Sequence, residues 1–159
     1  WKNNGKTTLV VRLIEHLTDR GLRVSTVKHA HHSVDLDQPG KDTWRHRQAG
    51  AGEVILATGR RWILMHELRD EPEPPLMPLL AKLAPADLVI VEGFKGTSLP
   101  KIEVHRGERG TGLIARDDPD VVAVAADVPI EGLAVPVVHL DDIPAIARLA
   151  LDHAREIAT

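Results

Sequence analysis

Apolar residues recur at helical spacing in two long segments of this chain. Over residues 6–20 they fall every three or four positions, and Gly21 follows as a stop, which predicts a first helix. A final helix is predicted to begin at Asp141 or Asp142, which are good capping residues, and to extend to Ile157. The two shorter helices predicted between them span 41–49 and 76–84.

Short apolar runs between the helices predict strands. The run 88–91 is wholly apolar, which is typical of a strand covered on both faces. Two further runs flank Gly59-Arg60, which predicts an antiparallel hairpin. The predicted strands, with the two hairpin strands second and third, span 23–28, 53–58, 61–68, 88–91, 99–105, 121–126 and 137–140.

The order of these elements predicts the fold class. Strands alternate with helices over most of the 159 residues, which favours an α/β domain with a mainly parallel sheet and one antiparallel hairpin. A chain of this length fits one domain, and neither an internal repeat nor a long linker divides it. We therefore expect a single domain over residues 1–159.

Composition excludes several classes of function. The chain has no cysteine, so disulfides and thiolate metal sites are excluded, and the cytoplasm is the expected compartment. A net charge of -3, with three tryptophans, one phenylalanine and no tyrosine, does not suit a nucleic-acid surface. No apolar run approaches the roughly 20 residues of a membrane helix. We expect neither a nucleic acid nor a membrane as a partner.

Residues 1–8, Trp-Lys-Asn-Asn-Gly-Lys-Thr-Thr, match the second part of a phosphate-binding P-loop, G-x-x-x-x-G-K-[ST]. Gly5 lets the backbone approach the phosphates, and the amides that follow point at the anion from a helix N-terminus. Lys6 is expected to reach the β- and γ-phosphates, and the Thr7 hydroxyl is expected to bind Mg2+. The nucleotide-binding residues predicted from the motif are Asn4, Gly5, Lys6, Thr7 and Thr8.

The P-loop narrows the expected fold to the three-layer P-loop NTPase fold. In that fold a strand and the first glycine of the motif precede the loop, and both are expected ahead of Trp1. The alternative is a chance Gly-Lys-Thr at the start of a helix, where glycine and threonine are ordinary capping residues.

A second acidic site is expected opposite the P-loop. In P-loop proteins an acidic residue at the end of a buried strand helps to hold the magnesium. Glu92 directly follows the apolar run 88–91 and precedes Gly93, whose amide is expected near the γ-phosphate. We assign Glu92 to magnesium and to catalysis, with an ordinary strand-end carboxylate as the alternative.

The segment 28–42 is the densest polar stretch of the chain, and three interpretations of it stay open. It is a transition-metal site formed by its histidines, a solvated loop without a role, or a loop that faces the nucleotide. The third is favoured by its position after a strand expected beside the P-loop strand. It assigns Asp35 and Asp37 to catalysis through water, and Asp37 also to magnesium. The histidines of the metal-site interpretation are His29, His31 and His32.

Beyond the P-loop, the chain resembles the molybdopterin-guanine dinucleotide biosynthesis adapter protein family. The most specific segment is K-H-x-H-H followed by D-x-D-x-P-G-K-D, within residues 28–42. The resemblance keeps the family's order over nearly the whole chain, and its other segments are 5–8, 91–95 and 124–129. It implies an adapter in molybdenum cofactor biosynthesis, a homodimer that binds GTP and hydrolyses it slowly with Mg2+. It also implies a partner, the molybdopterin guanylyltransferase that joins GMP to molybdopterin, and molybdopterin itself is a further candidate ligand.

The guanine-reading motif of ordinary GTPases, N/T-K-x-D, is absent from this chain. Asp127 follows a buried strand at the place of that motif's aspartate, so its carboxylate is the candidate acceptor for the guanine N–H groups. Ala125 stands where the lysine is expected. The preference for GTP over ATP therefore rests on the resemblance, and a plain turn residue is the alternative for Asp127.

Three other functions stay open at this point. A nickel-enzyme maturation GTPase has a similar core and histidine-rich segments, although the lack of cysteine counts against it. A small-molecule ligase or kinase needs a pocket for an acceptor, for which residues 96–118 are the candidate segment. An adapter that binds GTP without hydrolysing it is the third.

The predicted hairpin carries more apolar surface than one edge hairpin needs. Its second strand contains the run Trp62-Ile63-Leu64-Met65. An exposed apolar edge favours pairing with a second chain. We expect a two-fold homodimer with this hairpin at or near the interface.

Overall fold

Residues 5–30, 34–109 and 112–157 are described in the computed structural model, and they form two units. The main unit contains the residues up to His29 and those from Leu76 onward, whereas the insert unit runs from Ala30 to Pro75. The main unit contains α1 (Lys6–Thr18), β1 (Val24–Lys28), α3 (Leu76–Leu80), β4 (Leu88–Glu92), β5 (Lys101–His105), β6 (Val121–Ala126), β7 (Val137–His139) and α4 (Ile143–His153). The insert unit contains α2 (Asp42–Gln48), β2 (Glu53–Ala57) and β3 (Trp62–His66).

The strands of the main unit pair in parallel. β1 lies beside β4, with Val24 opposite Leu88 and Lys28 opposite Glu92. β5, β6 and β7 form a three-stranded parallel sheet in that order. Residues 123–125 of β6 are fully buried, which agrees with its continuous apolar run. The α/β class, with mainly parallel pairing and one antiparallel hairpin, is confirmed.

The core of the main unit lies between its two long helices and these strands. Leu9, Leu13 and Leu17 recur every four positions on α1, so they share one face, and all three are buried. They pack with Ile146 and other residues of α4, and with Leu88 of β4. This packing fixes where α1 begins relative to the end of β4.

The two long helices, α1 and α4, have four ends, and three of them lie where the sequence signals predict. Gly21 adopts φ 82° after α1, and its amide donates to the Thr18 carbonyl across 2.9 Å. Asp142 caps α4 by accepting from the Ala145 amide at 3.0 Å. The prediction that α4 reaches Ile157 is wrong, because the backbone is extended at Ala154. The apolar face that packs on the core ends at Ala150, so another turn would gain no burial.

The insert unit is built on the predicted hairpin. β2 and β3 pair antiparallel, and the Thr58 amide donates to the Arg61 carbonyl at 2.9 Å, closing the turn at Gly59-Arg60. Val54 is buried, while Ile55 and Trp62 on the opposite face are 63% and 65% exposed. At the far end of the pair, His66 Nδ1 lies 2.8 Å from Glu53 Oε1. Among all the described residues of the chain, no helix combines the length and apolarity that a membrane crossing requires.

Candidate functional site

Helix α1 begins inside the phosphate-binding motif. Gly5 precedes it with φ 78°, a left-handed conformation that favours glycine, and Gly5 makes no side-chain cap. The first-turn amides of a 13-residue helix therefore face an anion site that the helix dipole favours. Lys6, Thr7 and Thr8 form that first turn, whereas Asn4 lies outside the described residues.

The Thr7 hydroxyl lies against the carboxylate of Glu92. Thr7 Oγ1 donates to Glu92 Oε1 across 3.2 Å, and Glu92 Oε2 lies 3.4 Å from Lys28 Nζ. The parallel register of β1 and β4 places Lys28 opposite Glu92. The Glu92 side chain is only 18% exposed, so much of its carboxylate is shielded from water. Two residues that separate motifs assign to magnesium are thus brought together.

Gly93 allows a close approach between two strand ends. The His29 amide donates to the Glu92 carbonyl at 2.8 Å, which continues the contact between β1 and β4. Gly93 has φ 105°, and a Cβ at this position would lie 2.6 Å from the His29 Cβ. The His29 ring stacks on Phe94 with ring centroids 4.8 Å apart. Packing therefore requires glycine at 93, while the approach of its amide to a γ-phosphate stays a prediction.

Asp127 holds the end of β5 beside the end of β6. Asp127 Oδ1 accepts from the Gly107 amide at 2.9 Å, and Oδ2 lies 3.4 Å from Arg106 Nη1. A carboxylate has about four acceptor sites, so these contacts leave capacity for further donors. The assignment of Asp127 to guanine stays a prediction.

Arg106 also faces the start of α1. A Cβ built on Gly5 would lie 3.0 Å from both Nε and Nη2 of Arg106. The ends of β1, β4, β5 and β6 and the N-terminus of α1 therefore meet in the main unit, as expected for a ligand site at the carboxyl ends of parallel strands. Cationic side chains, a hydroxyl and a helix N-terminus in one place suit a phosphate ester and an accompanying divalent cation.

Asp35 and Asp37 pair with one arginine in the insert unit. Arg47 Nη2 donates to both oxygens of Asp35 at 2.9 Å, and Arg47 Nε donates to Asp37 Oδ2 at 3.1 Å. The Thr43 hydroxyl donates to the other Asp37 oxygen at 2.8 Å, and the Asp37 side chain is 7% exposed. Glu67 is the third carboxylate that contacts Arg47. Both acids therefore anchor their loop, and their action on water or magnesium stays a prediction.

The charges of this cluster reinforce one another. The Asp37 backbone amide, and next the Arg47 guanidinium, lower the pKa of Asp35 below its usual value. The hydrogen bonds that Arg47 donates to Glu67, and next to Asp35 and Asp37, raise the pKa of Arg47 above its already high value. Asp35 and Arg47 are therefore charged at neutral pH.

The structure does not test the transition-metal interpretation of segment 28–42 in full. Within residues 5–30, 34–109 and 112–157, no group of three or more histidine, aspartate and glutamate side chains could hold a metal ion. His31 and His32 lie outside these ranges. His29 is described, and its ring is stacked on Phe94.

Arg106 and Arg47 are the two arginines of these clusters that sequence reasoning missed, and it also missed Thr43 and Glu67 beside Asp37 and Arg47. Arg106 directly follows β5, and its position at the carboxyl end of a parallel strand is the signal that identifies it. Arg47 lies in a helix beside other basic residues, Arg45 and His46. No local pattern distinguishes it from them.

Comparison with known proteins identifies the relatives of this chain. A family model described as "Molybdopterin guanine dinucleotide synthesis protein B" matches residues 1–127. The molybdopterin-guanine dinucleotide biosynthesis adapter protein of Escherichia coli (strain K12) is 40% identical over 157 residues, covering 96% of this chain and 88% of the relative. The protein of the same name from Haemophilus influenzae is 43% identical over 134 residues, covering 82% of this chain and 73% of the relative.

A solved structure agrees with these relatives. The crystal structure of Bacillus subtilis MobB superposes with a TM-score of 0.73 at 25% sequence identity. The match covers 98% of this chain and 94% of the crystallised one. The fold described above is therefore shared over nearly the whole of both chains.

Proposed function

This chain belongs to the molybdopterin guanine dinucleotide synthesis protein B family, and from that premise we propose that it is a GTP-binding adapter that assists the attachment of GMP to molybdopterin. The observation that carries the nucleotide part is the contact of Thr7 Oγ1 with Glu92 Oε1 at the N-terminus of α1. The family relatives carry the name of this pathway, and the nickel-chaperone and ligase alternatives have no comparable support.

Each polar group of the site has a role in this proposal. The amides of the first turn of α1 and the Lys6 ammonium bind the phosphate oxygens. The Thr7 hydroxyl and the Glu92 carboxylate are hard oxygen donors, which fit Mg2+ directly or through water. Bound magnesium would neutralise charge on the β- and γ-phosphates. Lys28 Nζ, 3.4 Å from Glu92 Oε2, helps to orient the Glu92 carboxylate from the neighbouring strand.

The proposal also includes slow GTP hydrolysis, a guanine contact and a partner enzyme. Asp35 and Asp37 orient the attacking water, with Asp37 close to magnesium, and Asp127 accepts the guanine N–H groups. The partner is the molybdopterin guanylyltransferase, with molybdopterin itself as a further ligand, and the cytoplasm is the compartment. These assignments rest on the resemblance and on the residue types. In this structure Asp35 and Asp37 form ion pairs with Arg47.

Nucleotide-binding calorimetry tests the proposed function. The protein, carrying the strand and glycine predicted ahead of Trp1, is titrated with GTP and with ATP, each with and without Mg2+. GTP is expected to bind more tightly than ATP, and Mg2+ is expected to strengthen both. Equal binding of the two nucleotides would remove the guanine assignment, and no binding of either would remove the nucleotide function.

Glu92→Gln is expected to weaken the effect of Mg2+ on GTP binding without weakening metal-free GTP binding. The substitution keeps the size of the side chain and removes the charge that magnesium needs, so the Mg2+-dependent gain in GTP affinity should fall by about tenfold. Metal-free GTP binding should change little, as measured by titration in EDTA. Glu15→Gln, an exposed position on α1, is the matched control. A parallel fall in both kinds of binding would make Glu92 a structural residue.

The exposed face of the hairpin predicts a homodimer. Ile55 and Trp62 lie on the face opposite the buried Val54, and each is more than 60% exposed. We expect a two-fold dimer at micromolar concentration by analytical ultracentrifugation, and Trp62→Lys should shift it to monomer. Met77→Lys, at an exposed apolar residue of α3, should leave the dimer intact. A monomeric parent protein would contradict the proposal.

A further inference from the structure

We propose that His29 is a positioning residue of the nucleotide site, whose ring fixes the end of β4 so that the Glu92 carboxylate stays directed at Thr7. The inference rests on the proposed nucleotide function, and it gives a role to a histidine of segment 28–42, for which the sequence left three interpretations open. His29 directly follows β1, and Glu92 is the last residue of β4. The parallel pairing of these strands places both residues at the same end of the main unit.

His29 contacts three consecutive residues at the end of β4. Its backbone amide donates to the Glu92 carbonyl at 2.8 Å. Its Cβ lies 2.6 Å from the position that a Cβ on Gly93 would occupy, so the two residues approach closely. Its ring stacks on Phe94, with 4.8 Å between the ring centroids and 29° between the ring planes. The chain from Glu92 to Phe94 therefore packs against one residue of the neighbouring strand end.

Phe94 has a backbone conformation that needs support from its surroundings. Its φ is 49°, in the left-handed region, which is unusual for a bulky side chain. Such a conformation persists only where the surrounding contacts offset its cost. The Thr97 hydroxyl and amide donate to the Phe94 carbonyl at 2.8 Å and 3.1 Å, and these bonds fix the backbone on one side. The stack on His29 fixes the side chain, at a centroid distance where flat rings attract one another.

Loss of the stack is expected to affect the magnesium ligands more than the phosphate-binding groups. Phe94 follows Glu92 by two residues, so relaxation of its backbone toward an ordinary φ would shift the end of β4. The contact of Glu92 Oε1 with Thr7 Oγ1, at 3.2 Å, depends on where that strand ends. Lys6 and the first-turn amides belong to α1, whose core contacts involve neither ring of the stack. The ring of His29 therefore acts on magnesium binding through Phe94 and Glu92.

Calorimetric titration of GTP, with Mg2+ and in EDTA, tests this assignment. His29→Ala keeps the Cβ against Gly93 and the backbone hydrogen bond, so it removes the ring alone. The Mg2+-dependent gain in GTP affinity is expected to fall by about threefold to tenfold, while metal-free binding changes little. His29→Phe should restore most of the gain, because a phenyl ring can stack on Phe94 without ring nitrogens. In a Phe94→Ala background, His29→Ala should cause no further loss, since the stacking partner is already absent.

The controls separate this inference from the function on which it rests. His153→Ala removes a histidine from an exposed position of α4 and should bind GTP as the parent does. Circular dichroism establishes that each variant folds. Should His29→Ala fail to fold, Phe94→Leu, which keeps an apolar side chain without the ring, is expected to show the same loss of the Mg2+-dependent gain.

Four outcomes would overturn the inference. If the parent shows the Mg2+-dependent gain and His29→Ala keeps it, the inference is wrong while the nucleotide function stands. A His29→Phe protein as weak as His29→Ala would assign the role to the ring nitrogens. Additive losses in the double variant would exclude Phe94 as the intermediary, and a parallel fall with and without Mg2+ would make His29 a structural residue. If the parent binds no GTP, both proposals fail.

Discussion

Lys6→Ala is expected to weaken triphosphate binding by about tenfold or more. Lys6 is the first residue of α1, directly after Gly5, and its ammonium is the charge that the motif directs at the β- and γ-phosphates. Charge-assisted hydrogen bonds contribute roughly 1.5–3 kcal/mol each, which corresponds to about tenfold or more in the dissociation constant. Isothermal titration of GTP and of inorganic triphosphate measures the loss.

The control for Lys6→Ala removes an equal charge away from the site. Lys82 lies at an exposed position after α3, so Lys82→Ala should leave the affinity for GTP unchanged. Circular dichroism and thermal unfolding establish that both variants fold. A folded Lys6→Ala protein with the parent's affinity would remove the P-loop interpretation, since Lys6 occupies the one position at which the motif G-x-x-x-x-G-K-[ST] specifies a lysine.

Gly93→Ala is expected to destabilise the main unit by about 1–3 kcal/mol, the range for a residue held in a strained backbone conformation. Two effects act together at this position. The backbone has φ 105°, and an alanine Cβ would lie 2.6 Å from the His29 Cβ. Relief of this contact would move the end of β1 away from β4, so the contact of Glu92 with Lys28 should weaken as well. Denaturant unfolding measures the stability, and titration of GTP with Mg2+ measures the effect on the site.

Gly96→Ala is the matched control, three residues further along the same loop. An added Cβ at Gly96 meets no atom within 4 Å. This substitution should therefore change the free energy of unfolding by a few tenths of a kcal/mol at most, since surface substitutions away from special features usually stay within about 0.5 kcal/mol. Equal midpoints for the two alanine variants would contradict the steric role of Gly93.

Much of the fold was predictable because its apolar pattern is local. The runs at β4 and β6 are continuous, and both form strands of parallel sheets, with β6 almost wholly buried and β4 half-buried beyond Leu88. The hairpin follows from the two apolar runs that flank Gly59-Arg60. The end of α4 was not predictable, because apolar spacing continues to Ile157 although the core that the helix packs against ends at Ala150. The length of a helix depends on its packing partners as much as on its own residues.

The candidate site divides in the same way. Gly5, Thr7 and Glu92 each stand in a recognisable local motif, and the structure brings Thr7 and Glu92 into contact. The position of Arg106 depends on the pairing of β5 with β6 and on the Asp127 carboxylate, which lies 21 residues later in the chain. No window of the sequence contains that relation. Asp37 is a second example. Its ion pair with Arg47 forms only when α2 folds beside the loop that carries Asp37, so the sequence alone does not show the pair.

Two contacts of the insert unit depend on pH, and their contributions to stability change with pH in opposite directions. The pKa of Asp35 is lowered in the folded state by the Asp37 amide and by Arg47, so its contribution to stability is present above the ordinary value of about 3.9 and is lost as the pH falls through the lowered value. The pKa of His66 is raised, chiefly by its hydrogen bond to Glu53, so that contribution is present below about 6.5 and is lost as the pH rises through the raised value. Acid therefore loosens the loop that carries Asp35, whereas base loosens the open end of the hairpin. Between those limits both contacts are intact. In mildly acidic solution the insert unit is therefore stabilised both at the loop that carries Asp35 and at the open end of the hairpin.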